Sequence, residues 1–135
     1  MSYYQMVFEP DAAPKGRQSF LEWFKGQTSW NEGHSYDDPA VASENLRAWF
    51  DDMRQIFPPL NGPCSREELP EDEATATDYS IGKKIIYAAF AWSKADEAQE
   101  AVFVFAAKHS LGVFDLGSNQ NQIWLPKNGQ MILIS

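Results

Sequence analysis

The stretch that constrains this chain most runs over residues 77–117, because it spells strand, strand, helix, strand with each boundary marked. Its centre, residues 85–92 (IIYAAFAW), is an apolar run without a single charge. A run of that length suits a strand with both faces covered. Upstream, Tyr79 and Ile81 alternate with polar neighbours, as in a less buried strand, and Gly82-Lys83 suits the hairpin turn between the two. Downstream, Ser93 reads as a helix N-cap with Asp96 as its capping-box partner. Ala95, Ala98, Val102, Phe105 and His109 then recur at helical spacing. Gly112 is expected to stop this helix in left-handed conformation, before a short strand over 113–116.

The rest of the chain adds elements on either side. Residues 3–8 (YYQMVF) read as a first strand, and residues 14–27 as a helix with Pro14 in its first turn. Residues 28–39 are polar and punctuated, hence a loop, in which Asp38-Pro39 suits a capped turn. After Ser43, the residues Leu46, Trp49, Phe50, Met53, Ile56 and Phe57 trace the clearest amphipathic helix, ended by Pro58-Pro59. Residues 58–76 form a long proline-rich acidic connection, with a short helical turn expected near 65–69. Strands over 123–125 and 131–134 flank Asn128-Gly129, a strong hairpin signal.

Without the second helix and the last hairpin, the order is β-α-β-β-α-β, which is ferredoxin-like. The expected fold is therefore a single α+β domain over residues 1–135. It has an antiparallel sheet with helices packed on one face, an acidic helix-loop insertion at about 37–78, and a C-terminal hairpin.

Charge is unevenly spread. The net charge is −8, and residues 37–78 hold 11 acids against three bases, so this segment carries the whole imbalance. That balance argues against a broad phosphate-tracking surface for nucleic acid. An acidic patch steers basic partners, although it also serves solubility alone. One cysteine, Cys64, forbids an intrachain disulfide and fits a reducing compartment. No apolar run approaches membrane-spanning length, and no basic leader precedes an apolar segment, so a cytoplasmic protein without membrane partners is expected.

The chemistry-bearing residues form no complete motif. His34 lies near Asp37 and Asp38, but without a second histidine at ligand spacing, so no metal or cofactor is expected. His109 at a helix C-terminus suits a packing or capping role. Cys64 follows Asn61-Gly62-Pro63 in acidic surroundings that raise a thiol pKa, which disfavours a nucleophile. Neither a phosphate loop nor a nucleophile elbow occurs, so no catalytic residue is assigned. The alternative reading is a small-molecule-binding domain or enzyme with a pocket near His34, Cys64 and His109. Among the five tryptophans, Trp49 and Trp92 suit the core, whereas Trp30, with Tyr36 in the same polar loop, suits an exposed anchor. The apolar strand over 131–134 would be an exposed edge, which a second copy of the chain could cover as a homodimer.

Four stretches, GHSYDDP, LRAWFDDMRQIFPPLNGP, TDYSIGKKIIYAAFAWSKADEA and AAKHSLGVFDLGS, together resemble a family of small uncharacterised bacterial proteins. That family is associated with immunity proteins encoded beside polymorphic or contact-delivered toxins. The resemblance spans roughly residues 3–126 and carries over no catalytic role. It implies a non-enzymatic protein that neutralises a cognate, basic toxin by direct binding. Asp37, Asp51, Asp52, Glu67, Glu68, Glu71, Asp72 and Glu73 would then supply the charge, with Trp30 and Tyr36 as anchors.

Overall fold

A computed structural model describes residues 2–60, 62, 72–117 and 121–134. In chain order the elements are β1 (Ser2–Phe8), α1 (Arg17–Gln27), α2 (Glu44–Ile56), β2 (Asp78–Ile81), β3 (Ile85–Ala91), α3 (Ala95–Lys108), β4 (Gly112–Asp115), β5 (Gln122–Lys127) and β6 (Gln130–Leu133). Single 3₁₀ turns occupy Pro39–Val41, Glu73–Thr75 and Trp92–Lys94. The fold is α+β. Its six strands form one antiparallel sheet in the order β2-β3-β1-β4-β5-β6.

The sheet register sorts side chains onto two faces, because successive residues of a strand point opposite ways. Val7 lies opposite both Ile86 and Val113, and these three join Tyr79, Ile81, Ala88 and Phe90 on one face. Helices α2 and α3 cover that face with Leu46, Trp49, Phe50 and Met53 from α2 and Ala98, Val102 and Ala106 from α3. Met6, Phe8, Ile85, Phe114 and Ile123 form the other face, where Phe20 of α1 packs on them, with Trp23 and Phe24 half-buried alongside.

The helices therefore lie on both faces, not on one as the element order suggested. The cause is visible in β3, whose positions are apolar on both sides and so call for cover on each face. Helix α2 is also not set apart from the core. It shares a layer with α3, and the Trp49 indole donates a hydrogen bond of 3.3 Å to the Val102 carbonyl between them.

Local chemistry explains the ends. The Ser43 hydroxyl caps α2 by accepting from the Leu46 amide, at 3.4 Å. Helix α1 starts at Arg17, three residues later than Pro14 suggested, with Gly16 at its N-cap at a positive φ of 91°. Ser93 does not cap α3. It sits inside the 3₁₀ turn, and α3 begins after Lys94 with Asp96 and Glu97 in its first turn, where the helix dipole favours them.

At the other end of α3, Ser110, not Gly112, takes the left-handed conformation (φ 58°). The Leu111 amide then reaches back to the Ala106 carbonyl at 2.9 Å, a Schellman closure with Leu111 buried behind it. Gly112 is required for another reason: a Cβ there would run into the Phe8 ring. Asn128 and Gly129 both have positive φ, so the β5–β6 hairpin closes in the mirror-image turn that its sequence predicts.

Candidate functional site

The loop between α1 and the Pro39–Val41 turn gathers the aromatic and charged residues that the sequence singles out. It is pinned to the β2–β3 hairpin at two points. The Ile81 amide donates to the Tyr36 carbonyl at 2.8 Å, and the Lys83 amide donates to Glu32 Oε1 at 3.1 Å. Within the loop, the Glu32 amide donates to the Tyr36 hydroxyl at 2.7 Å. Asp38 caps the 3₁₀ turn by accepting from the Ala40 amide at 2.9 Å.

His34 lies between two acceptors. Its Nδ1 is 2.7 Å from the Ser35 carbonyl, and its Nε2 is 2.6 Å from Glu32 Oε1. Only the imidazolium carries a proton on each nitrogen, so this geometry favours the charged ring. The Ser35 carbonyl first, and the Glu32 carboxylate second, hold the His34 pKa above its ordinary value.

Trp30 is half-buried and has a positive φ of 56°, a conformation that a bulky side chain rarely adopts. Its ring meets Tyr36 edge-on at 5.0 Å and Tyr87 at 6.3 Å. Tyr4, Phe24, Thr28, Ser80 and Tyr87 complete an open cleft of about 470 Å³ on the α1 side of the sheet. Tyr4 packs on Tyr87 at 5.5 Å and is 41% exposed, and burial holds the Tyr87 hydroxyl above its ordinary pKa.

The acidic connection returns to this loop. Gly62 packs against the backbone of Asp37 so closely that any side chain at 62 would overlap the Asp37 carbonyl. The base of the connection is fixed by bonds of 2.9 Å from the Thr77 amide to the Pro58 carbonyl and from the Leu60 amide to the Thr77 carbonyl. Trp30, Tyr36 and Asp37 thus share one neighbourhood with the start of the acidic segment. Glu67, Glu68, Glu71 and Cys64 lie outside the described residues, as does the helical turn expected near 65–69.

The other acids are placed elsewhere. Asp52 accepts from His109 Nε2 at 2.6 Å and from Lys108 Nζ at 3.0 Å, joining α2 to the end of α3. Burial pushes the Asp52 carboxyl up, and the hydrogen bonds from His109 and Lys108 outweigh it, leaving the pKa below its ordinary value. Asp51 pairs with Arg54 at 3.2 Å. Asp72 meets Lys94 at 2.8 Å and caps the Glu73–Thr75 turn, and these two interactions, Lys94 first, lower its pKa. Glu73 is exposed. The two histidines are held in separate pairs, His34 with Glu32 and His109 with Asp52, and neither lines the aromatic cleft. Among the described residues, no group of three or more His, Cys, Asp or Glu is placed to hold a metal ion.

Trp92 departs from its expected place in the core. It is 46% exposed at the end of β3, with its ring 5.3 Å from that of Tyr3. The strand ends one residue earlier, at Ala91, and Trp92 opens the 3₁₀ turn, a boundary that the apolar run does not mark. Tyr4 carries no sequence signal for the site: the β1 alternation places it on the α1 face, and only tertiary packing leaves it partly exposed beside Tyr87.

Comparison with known protein families, with curated proteins and with solved structures gave no match to this chain. Among the described residues, no helix is long and apolar enough to cross a membrane.

Proposed function

We propose that this chain is a non-enzymatic binding protein of the cytoplasm, an immunity protein that neutralises a cognate basic toxin by direct contact. The observation that supports the reading most is the contact of Trp30 with Tyr36 beside Asp37, whose backbone packs on Gly62 at the start of the acidic connection. Aromatic side chains at a half-buried site anchor interfaces, and neighbouring carboxylates speed the approach of a basic partner. The strained backbone at Trp30 fits a ring held ready for contact.

The fold supports a companion reading. In this reading the core is ferredoxin-like, and the strand order β2-β3-β1-β4 with α2 and α3 on one face supports it. On that reading α1 is the added helix, and its far-side position leaves the aromatic cleft beside it.

Association kinetics test the function. Reversing Asp37 and Glu73 to lysine should slow association with the toxin, more at low salt than at high salt. Unchanged rates at both salt concentrations would remove the electrostatic part of the reading.

A further inference from the structure

Helix α1 covers only part of its sheet face. Where β2, β3 and β1 lie side by side, the register puts Asp78, Ala89 and Tyr4 in one row and Ser80, Tyr87 and Met6 in the next. Both rows point to the α1 side, because the residues between them, Tyr79 and Ala88, belong to the core under α2 and α3. Met6 is buried on that side, but the first row is open: Asp78 is exposed, Ala89 half-buried and Tyr4 41% exposed.

The row forms a trench. Neighbouring strands are about 4.8 Å apart, so about 10 Å separates the backbones of Asp78 and Tyr4, with only the Ala89 methyl group between them. One wall carries a carboxylate. The other carries the Tyr4 ring, steadied by Tyr87 at 5.5 Å. The trench opens into the aromatic cleft through Ser80, which follows Asp78 on the same face of β2 and lines the cleft with Trp30 and Phe24. Among the described residues, no lysine or arginine lines the cleft or pairs with Asp78.

A cation meets two complementary features here. Aromatic ring faces attract it, and the carboxylate stands across the trench. A guanidinium suits this shape better than an ammonium, because it lies flat on a ring and still directs N–H groups from its edge to an acceptor. We propose that the trench receives an arginine side chain of the partner protein, its guanidinium flat against Tyr4 and its edge toward the Asp78 carboxylate. The inference rests on the binding-protein reading and names the side chain that the aromatic cleft takes. It fits a basic partner for a chain whose net charge is −8.

The test uses the full chain and N-acetylargininamide, with N-acetylcitrullinamide as a neutral counterpart of nearly the same shape. Amide shifts in a two-dimensional spectrum at low salt follow both. Acetylargininamide should bind saturably, with shifts gathered around residues 4, 28–30, 78–80 and 87–89. It should bind roughly ten-fold more tightly than acetylcitrullinamide. Asp78→Asn and Tyr4→Leu should each weaken it roughly three-fold, whereas Tyr4→Phe, which keeps the ring, should bind as the wild type does. Equal binding of the two probes, shifts centred elsewhere, or indifference to Asp78→Asn and Tyr4→Leu would each overturn the proposal. Tighter binding of free arginine than of its acetylated amide would mark a metabolite site and overturn the assignment to a protein partner. No toxin enters these titrations, so their failure overturns this inference and leaves the toxin reading to the capture experiment.

Discussion

His34 and Glu32 share a hydrogen bond of 2.6 Å whose carboxylate oxygen also accepts from the Lys83 amide. One oxygen thus ties the aromatic loop both to itself and to the β2–β3 turn.

A pH dependence follows, with a definite sign. The folded-state pKa of His34 is raised, so its contribution to loop stability is fully present below the ordinary histidine value. It is lost as pH rises through the raised folded value. Glu32→Gln should lower the His34 pKa, read by ring-proton titration. Hydrogen exchange at the Lys83 amide should quicken in that variant. A His34 pKa unmoved by Glu32→Gln would contradict the arrangement.

Asp52 gives the opposite sign. Its pKa is lowered by His109 and Lys108 against the effect of burial, so the stability it contributes is present above the ordinary aspartate range. That stability disappears as pH falls through the lower folded value. Because the carboxylate remains partly exposed, Asp52→Asn should cost at most about 1 kcal/mol at neutral pH. The difference from wild type should vanish in acid. Thermal melts across pH measure both.

Two glycines should respond oppositely to alanine. Gly26 lies in α1 with open space around its Cβ position among the described residues, so Gly26→Ala should stabilise by about 0.5–1 kcal/mol. Gly112 faces the Phe8 ring, so Gly112→Ala should destabilise by about 1–3 kcal/mol. Denaturant titration reads both, and stabilisation at 112 would contradict the register of β1 on β4.

The outer strand β6 exposes Ile132 and Leu133, with Ile134 just after it, beside an unpaired backbone edge among the described residues. Such an edge invites pairing with a second copy. We expect concentration-dependent self-association by light scattering, abolished by Leu133→Lys. A strict monomer at millimolar concentration would show that the edge is not used.

Much of this fold was legible because its strongest signals are local. The period of α2, the charge-free β3 and Asn128-Gly129 each specify an element without reference to the rest of the chain. Layering was misread, although a clue was present: a charge-free central strand asks for two covered faces, and so for a helix on each. The end of α3 was misread because glycine is the usual left-handed residue, and here Ser110 takes that role while Gly112 makes room for Phe8. Of the candidate site, Trp30 and Tyr36 were legible as aromatics in a polar loop, but both are half-buried against their neighbours rather than exposed. The pairing of Asp52 with His109 was not, since those residues are 57 positions apart and meet only when α2 and α3 share a layer.

The most direct test of the central claim is co-purification of tagged protein with the product of the adjacent gene. It should be run beside two variants, Trp30→Asn and Trp92→Ala. Asparagine tolerates the left-handed backbone at position 30, so the first variant removes the ring and keeps the conformation. The account predicts one stoichiometric basic protein captured by the wild type and by Trp92→Ala, and lost with Trp30→Asn. Capture undiminished by Trp30→Asn, or no protein captured by the wild type, would contradict it.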